Sequence, residues 1–388
     1  MSYSVAVVGT GDPEQSDGYA MAYRHARGYE RRDDCELIAC VDTTGTKARK
    51  FSRTFDIEQT GVYEEYERMV VETQPDIVSV CTPTNTHAEI VMECAASDAV
   101  GAVHCEKPMA ATWKECREMV AACEEHGVQL TFNHQRRFAT PYRKAKAALD
   151  VGLIGELRRI ELGGHDLYDY GTHLFDMCGY LTDQCPVEWV FGQIDPRDPA
   201  VVYGLYQETQ ALARWRYESG VEGLASTGDD GFIDCELRLV GDDGAIEVGS
   251  EGGPTLRVRD SGSAWMSVRT GMDGIWRSRL HPLDKVLRWV PVGDDRWFSD
   301  PTYVDRAIAD VVESLDTNRP SALAADHALQ TTEIIFACWE SARRGERVEL
   351  PLVIDDNPLE AIVERGSSAI ASSPLPLQPL DSGRSSTS

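Results

Sequence analysis

The chain has 388 residues, of which 42% are hydrophobic and 26% are charged, so it is long enough for two packed domains. Its 64 acidic and 38 basic residues give a net charge of −26, which repels nucleic acid and anionic membrane surfaces, and we expect neither as a partner. No stretch approaches the roughly 18 apolar residues of a membrane span, and the start of the chain carries no secretion signal, so we expect a cytoplasmic protein.

Two features of the composition concern the environment of the protein. Only seven of the 38 basic residues are lysines, and acidic residues occur in patches. This balance is typical of a surface adapted to high salt, where concentrated ions screen the repulsion between carboxylates. The 11 cysteines are scattered, with no CxxC pair, so we expect reduced thiols.

The first third of the chain alternates apolar runs with helical patterns. This alternation is typical of βαβ units and predicts an N-terminal Rossmann domain, 1–133, with a doubly wound parallel sheet and helices on both faces. The predicted strands are Ser4–Val8, Glu36–Val41, Ile77–Cys81, Ala102–Cys105 and Val128–Phe132. The predicted helices are Gly18–Tyr29, Thr46–Phe55, Tyr63–Thr73, His87–Ser97 and Thr112–His126.

The rhythm changes after Phe138. Strand patterns separated by Gly/Asp turns predict an α+β domain, 134–360, with a largely antiparallel open sheet. A segment rich in Ser and Pro, 361–388, is expected to be a disordered tail. The predicted helices are Pro141–Val151, Gly171–Leu181, Tyr303–Thr317 and Ala325–Arg344, and the predicted strands are Glu156–Leu162, Ala211–Tyr217, Phe232–Val240, Ala245–Val248, Thr255–Val258 and Ala264–Val268.

The first predicted strand runs into a glycine turn. Gly9, Thr10 and Gly11 follow the strand, and glycines there let the backbone approach a pyrophosphate at the positive end of a helix. The third glycine, Gly18, stands seven residues after Gly11, so the strict GxGxxG spacing fails. A surface turn is an equally good interpretation of this motif alone.

An acid, Asp42, follows the end of the second predicted strand. An acid at this place accepts hydrogen bonds from both ribose hydroxyls of an adenosine and repels a 2′-phosphate. Asp42 therefore favours NAD as the cofactor, and the nearby Lys47 leaves NADP as an alternative.

A polar turn follows the third predicted strand. The hydroxyls and the amide of Thr82, Thr84 and Asn85, with Pro83 forcing an extended turn, suit contacts with a cofactor's ribose and phosphates. A structural turn with a helix N-cap explains the same residues equally well. His87 either touches the ligand or begins the next helix.

The fourth predicted strand ends in Glu106, Lys107 and Pro108. A Glu-Lys pair is usually a solvated ion pair. Its position at the carboxyl edge of the sheet, where ligands of doubly wound folds bind, favours a functional role. A lysine there can stabilise an alkoxide or transfer its proton.

The densest cluster of polar residues lies between Gly163 and Asp176. If this segment is helical from Asp169, then Asp169, His173 and Asp176 share one face. A carboxylate that orients a histidine acting as general base is the preferred interpretation. A helix cap with a structural ion pair and a metal site are the alternatives, but no complementary cluster completes a metal site, and we predict none.

Together these motifs resemble those of the Gfo/Idh/MocA oxidoreductases, the family of glucose-fructose oxidoreductase and inositol dehydrogenase. The resemblance rests on the glycine turn, Asp42, Thr82-Pro83, Glu106-Lys107-Pro108, Arg137-Phe138 and the string Asp169-x-Gly171-x-His173-x-x-Asp176, in this order over about residues 4–350.

The resemblance implies roles for individual residues. Lys107, Asp169 and His173 would form the catalytic set, in which His173 removes the hydroxyl proton, Asp169 holds the imidazole and Lys107 polarises the oxygen. The residues expected on the cofactor are Gly9, Thr10, Gly11, Asp42, Thr82, Pro83, Thr84, Asn85, His87, Glu106, Lys107 and Arg137.

The implied activity is hydride transfer between NAD(P) and a sugar, polyol or related hydroxyl compound. The resemblance also implies a homo-oligomer, a dimer or a tetramer, formed through the open sheet of the second domain. Two alternatives stay open: a redox-neutral NAD-dependent glycosidase or lyase, and a non-catalytic cofactor-binding sensor.

Overall fold

The computed structural model describes residues 2–14, 20–270 and 301–372, with side chains up to residue 365. Two sheets organise it. The first has six parallel strands in the order β3-β2-β1-β4-β5-β6. The strand order reverses between β1 and β4, and in such sheets ligands bind beyond the carboxyl ends of the strands at this point. The strands are β1 (Tyr3–Val8), β2 (Cys35–Val41), β3 (Val62–Tyr63), β4 (Ile77–Val80), β5 (Ala102–Cys105) and β6 (Gln129–Phe132).

Helices cover both faces of this sheet, so its central strands β1, β4 and β5 are mostly apolar and almost completely buried. In the helix α5, capping residues in the sequence determine where the helix begins and ends. Thr112 accepts a hydrogen bond from Glu115 N, the Glu115 carboxylate accepts one from Thr112 N, and Gly127 ends the helix with a φ of +68°. The helices are α1 (Met21–Glu30), α2 (Gly45–Thr54), α3 (Tyr66–Thr73), α4 (His87–Ala95), α5 (Trp113–His126) and α6 (Thr140–Asp150).

The second sheet has nine strands in the order β16-β15-β14-β13-β7-β12-β11-β8-β17. All neighbours are antiparallel except β7 and β12. A separate hairpin, β9 (Ala200–Val202) and β10 (Leu205–Gln207), stands beside it. The strands are β7 (Leu157–Gly164), β8 (Val187–Asp195), β11 (Gln210–Tyr217), β12 (Glu222–Gly228), β13 (Cys235–Gly241), β14 (Gly244–Ser250), β15 (Leu256–Asp260), β16 (Met266–Ser267) and β17 (Val348–Glu349).

The chain returns to the first domain after the second sheet. In the returning helix α8, Ile308 and Val312 pack with Val5 of β1 and Ile77 of β4. The approach to α1 is so close that a Cβ on Gly28 would stand 2.8 Å from Ile308 Cγ1. The remaining helices are α7 (Gly171–Leu181), α8 (Tyr303–Thr317), α9 (Ala325–Arg344) and α10 (Pro358–Ser372), and none of the described helices is long and apolar enough to cross a membrane.

The predicted fold class is confirmed, with differences in individual elements. The strands β8 and β12 were not predicted, and Tyr63 lies in the strand β3 rather than in a helix. The helix α10 includes residues 361–372, where the sequence predicts a disordered tail. Residues 373–388 lie outside the described residues, as does Gly18.

Candidate active site

The glycine turn lies at the carboxyl end of β1. Gly9 has a φ of +86° and Gly11 a φ of +61°, both in the region that disfavours side chains. A Cβ on Gly9 would stand 2.8 Å from the carbonyl of Cys81 and 2.7 Å from Thr82 Cγ2. Gly9 therefore allows the loops after β1 and β4 to lie against each other at the switch point, an arrangement that suits the approach of a dinucleotide.

Asp42 holds this turn. Its Oδ2 accepts hydrogen bonds from Thr10 Oγ1 and Gly11 N, both at 3.0 Å, and its Oδ1 accepts one from Thr44 N at 2.8 Å. Asp42 and Thr10 are buried. The carboxylate stands at the carboxyl end of β2, but three hydrogen bonds from the chain already use most of its acceptor capacity.

The turn after β4 divides into exposed and buried residues. Pro83 and Asn85 are exposed and Thr82 is half-buried, so all three are open to a ligand at this edge, whereas Thr84 is buried. His87 is fully buried, with ring nitrogens 2.9 Å from the carbonyl oxygens of Pro108 and Thr82. His87 thus joins the turns after β4 and β5 and begins α4. Its ring is used in these structural contacts, whereas the prediction placed it on the cofactor.

Glu106 lies beneath this edge in a buried network. Its Oε1 lies 2.9 Å from His25 Nε2 and accepts a hydrogen bond from Asn133 Nδ2 at 2.6 Å. Burial alone would raise the pKa of Glu106, but the hydrogen bond and charge of His25 lower it to about 2. Glu106 is therefore an anion, and its negative charge lies just beneath the carboxyl edge of the first sheet.

Lys107 links the two domains. Its Nζ donates hydrogen bonds to the carbonyl oxygen of Asp169 at 2.8 Å and to Asp169 Oδ1 at 2.9 Å. Both side chains are half-buried. The pair fixes a cation where the carboxyl edge of the first sheet meets the second domain.

His173 lies on the first turn of α7, which begins at Gly171. Burial lowers the pKa of His173 well below its usual value, and the positive charges of Arg136, Lys107 and His134 add to this effect. The imidazole is thus neutral, and its Nδ1 has no hydrogen-bond partner among the described residues. A neutral, unengaged imidazole beside a lysine is suited to accept a proton.

The expected bond between Asp169 and His173 is not among the hydrogen bonds of the described residues. Asp169 precedes the first turn of α7, so it does not share a helical face with His173, and its carboxylate turns to Lys107. The structure thus gives Asp169 a different partner from the predicted one.

Asp176 and Arg137 form a buried pair. Arg137 Nε and Nη2 donate to the Asp176 carboxylate at 2.9 and 2.7 Å, and His134 Nδ1 lies 2.8 Å from Asp176 Oδ1. Burial alone would raise the pKa of Asp176, but Arg137 and His134 lower it below its usual value. Arg137 therefore ties α7 to the segment that follows β6, so its guanidinium is engaged by Asp176 and not by a cofactor, contrary to the prediction.

Three residues at or near the site were not predicted from the sequence. His25 of α1 and Asn133 surround Glu106, and Asn133 follows the end of β6 just as Lys107 follows β5, which is a signal that could have found it. The third is Tyr203, at the tip of the β9–β10 hairpin. The hairpin approaches the cofactor edge, since a Cβ on Gly204 would stand 3.2 Å from the side chain of Asn85.

Comparisons with known families agree with this geometry. Residues 3–134 match an oxidoreductase family model described as an NAD-binding Rossmann fold, and residues 158–350 match the C-terminal alpha/beta domain of the same family. The chain belongs to the Gfo/Idh/MocA family of oxidoreductases. The predicted resemblance and the NAD-binding fold are thereby confirmed.

Relatives within the Gfo/Idh/MocA family are named as dehydrogenases. The chain is 26% identical over 368 residues to D-apiose dehydrogenase of Paraburkholderia graminis, covering 89% of this chain and 91% of that protein. It is 29% identical over 245 residues to myo-inositol 2-dehydrogenase of Thermotoga maritima, covering 59% and 70%. The match to D-glucoside 3-dehydrogenase of Escherichia coli is 29% identical and spans only 49% of that protein, which is 40% of this chain.

Solved structures show the same Gfo/Idh/MocA architecture. An inositol dehydrogenase homologue from Azotobacter vinelandii, complexed with NADH and myo-inositol, has a TM-score of 0.69 at 19% identity and covers 90% of this chain and 98% of that chain. An oxidoreductase from Agrobacterium radiobacter in complex with NAD+ also has a TM-score of 0.69, at 17% identity, and covers 93% and 100%. At these identities the likeness establishes the fold.

Proposed function

We propose that this protein is an NAD-dependent dehydrogenase that oxidises a secondary alcohol of a sugar or polyol. The observation that carries the proposal is the meeting of a fixed cation, Lys107, with a neutral buried base, His173, at the carboxyl edge of an NAD-binding domain. The names of the relatives support a sugar or polyol as the substrate class.

In this mechanism His173 accepts the hydroxyl proton of the substrate. Its lowered pKa keeps the ring neutral and ready to receive that proton. Lys107 donates a hydrogen bond to the substrate oxygen and stabilises the negative charge that develops there. Asp169 positions the Lys107 ammonium through two hydrogen bonds, so the cation is held in place before the substrate arrives. NAD bound at this edge would supply the hydride acceptor for the oxidation.

The proposed cofactor contacts follow the exposure of the predicted residues. Gly9, Gly11, Thr82 and Asn85 border the edge, and Asp42 supplies the charge that disfavours a 2′-phosphate. The cation Lys50 is paired with Asp12 at 2.8 Å and with Glu14 at 3.1 Å, so it is not available to receive a phosphate. These arrangements support NAD over NADP.

The test is absorbance at 340 nm in multimolar KCl, with a panel of sugars, polyols and sugar acids and with NAD and NADP in parallel. The expected result is NADH formation with one substrate class and a preference for NAD. Cofactor that copurifies and stays bound, without net NADH formation, would shift the assignment to a redox-neutral glycosidase or lyase. Binding without any substrate conversion would shift it to a sensor.

We also propose a homo-oligomer formed through the open sheet, in a reducing cytoplasmic compartment. Phe191 of β8 and Leu212 of β11 are 48% and 43% exposed and are diagonal neighbours on adjacent strands, so they form an apolar patch on one face of the sheet. All 11 cysteines are free thiols, which supports a reducing environment. Sedimentation velocity in high salt measures the mass, and a monomer at micromolar concentration would contradict the oligomer.

A further inference from the structure

The proposed mechanism leaves unused a string of titratable side chains beneath the cofactor edge. Cys81, directly after β4, is half-buried, and its Sγ lies 3.5 Å from Nδ1 of His25. The opposite nitrogen, Nε2, lies 2.9 Å from Glu106 Oε1. His25 is completely buried, and Glu106 nearly so. A thiol, an imidazole and a carboxylate thus follow one another in line.

This order fixes the charge of each group. Burial alone would lower the pKa of His25, but the sulfur of Cys81 and the carboxylate of Glu106 outweigh it and raise the pKa to about 10. The imidazole therefore carries two N–H groups. Nε2 donates to Glu106, and Nδ1 lies 2.8 Å from Ser79 Oγ and faces the sulfur of Cys81. A buried imidazolium beside a thiol favours the thiolate.

The buried titratable groups packed closest to His25 stay neutral at ordinary pH. The ring of His104 lies 4.9 Å from that of His25, and burial lowers the pKa of His104 to about 3. Burial raises the pKa values of Cys105 and Tyr29 above their usual values. The charged neighbour of the string is Lys107, whose ammonium acts on Glu106 and helps to lower its pKa.

The other half-buried cysteines lie in contrasting surroundings. Cys35 Sγ lies 3.8 Å from the carboxylate of Asp34, and burial together with that charge raises the pKa of Cys35 to about 11. Cys185 Sγ lies 3.7 Å from the carbonyl oxygen of Pro186. The remaining eight cysteines are buried. Within the described part of the chain, Cys81 is the one thiol that combines partial exposure with an imidazole contact.

We propose that Cys81 is a nucleophilic thiolate held by the His25 imidazolium, and that it is the site at which alkylating electrophiles and peroxides modify this protein. With iodoacetamide, the sulfur forms a C–S bond as the C–I bond breaks and iodide leaves. With hydrogen peroxide, the sulfur takes one oxygen as the O–O bond breaks and hydroxide leaves. Cys81 is thereby oxidised by two electrons to the sulfenic acid and the peroxide is reduced.

The position of Cys81 suggests that modification of its sulfur affects cofactor binding. Its backbone carbonyl lies against Gly9, where there is no room even for a Cβ. A group added to the sulfur enters the region where the loops after β1 and β4 meet. Modification would therefore reduce cofactor binding, a consequence that rests on the proposed function, whereas the reactivity of the thiol does not.

The test measures the iodoacetamide labelling rate of each cysteine in the intact protein without cofactor, by peptide mass spectrometry from pH 5.5 to 9.5. At pH 6 we expect Cys81 to react about tenfold faster or more than Cys35 and Cys185. Its rate should change little with pH, whereas that of Cys35, whose pKa is raised to about 11, should rise about tenfold per pH unit over this range. A Cys81 rate that rises in parallel with that of Cys35 would overturn the proposal.

Two variants test whether the reactivity of Cys81 comes from the His25 imidazolium or only from the exposure of the thiol. His25→Asn should lower the pH 6 rate of Cys81 about tenfold or more and leave its pH 9.5 rate near that of the wild type. His104→Asn alters an equally buried histidine that does not contact Cys81, and should leave the rate unchanged. Equal loss in both variants would refute the pairing. If His25→Asn does not fold, labelling of the buried cysteines reveals it, and the wild-type pH profile decides.

Discussion

The pair of Lys107 and His173 illustrates how individual residues set the proposed chemistry. Asp169 holds the Lys107 ammonium in place through a hydrogen bond, and burial lowers the pKa of His173, so its imidazole is neutral. Lys107→Ala and His173→Ala should each lower turnover about 10²- to 10⁴-fold while NAD binding persists, because both act on the substrate oxygen and its proton. Steady-state rates and NAD titrations measure the two effects. His126→Ala, at the exposed end of α5, is the control, and near-normal rates in either site variant would refute the assignment.

The raised pKa of a second residue, Glu208, predicts that the stability of the protein depends on pH. Glu208 is buried, accepts hydrogen bonds from Leu167 N and Trp339 Nε1, and has its pKa raised to about 7 by burial and by the charge of Asp166. The unfolded chain releases this proton near pH 4.5. The folded state therefore binds more protons between about pH 4.5 and 7, and this group lowers the free energy of unfolding as the pH rises through that range.

Replacing Glu208 removes this titration. Glu208→Gln should flatten the decline of the melting temperature between pH 5 and pH 8, whatever the variant costs in lost hydrogen bonds at a single pH. Thermal melts at four pH values in both proteins, with the exposed Glu218→Gln as control, measure the difference in slope. Parallel curves for wild type and Glu208→Gln would show that Glu208 ionises normally in the folded state.

At the scale of elements, the contact between α1 and α8 depends on one missing side chain. Gly28→Ala would gain about 1 kcal/mol of helix propensity but would press a Cβ within 3 Å of Ile308 Cγ1 and Cβ. Because such overpacking costs about 1–3 kcal/mol, we expect a net loss of stability. In a double-mutant cycle measured by urea unfolding, Gly28→Ala with Ile308→Ala should lose less than the sum of the single variants. Strict additivity would argue against the close contact.

The elements also show what sequence patterns can and cannot predict. Helices α8 and α9 were predicted with their observed ends, because capping residues such as Thr302 and Gly345 mark them. The strand β12 was missed because its sequence, EGLASTG, holds two glycines and small polar residues and lacks an apolar alternation. Its place in the sheet depends on pairing with β7, which is distant in sequence, as well as with the preceding strand β11.

The candidate site likewise contains residues whose roles the sequence predicted and residues whose roles it could not predict. Lys107 was predicted because it lies just past the end of β5, and the edge of a parallel sheet gathers such residues. The roles of His87 and Arg137 could not be predicted, because both are decided by long-range partners, Pro108 and Asp176. Local spacing placed Asp169 on the face of His173 only by assuming a helix that begins two residues too early.

At the scale of the whole molecule, the charge of −26 predicts a dependence on salt. Screening by concentrated ions weakens the repulsion among surface carboxylates, so the melting temperature should rise between low and multimolar KCl. A melt series in KCl measures the shift, and sucrose at matched osmolality controls for solute exclusion. A melting temperature that is flat or falls with KCl would contradict the expected high-salt adaptation.

The return of α8 to the first domain also limits how this protein can be divided. A fragment that ends at residue 133 would contain every strand of the nucleotide-binding sheet, yet it would expose the groove on α1 and the apolar side chains that Ile308 and Val312 cover. The two family models describe consecutive segments, but the cores that stabilise them are interleaved along the chain. A transplantable nucleotide-binding module made from this protein would have to carry the segment 303–317 fused back onto its sheet.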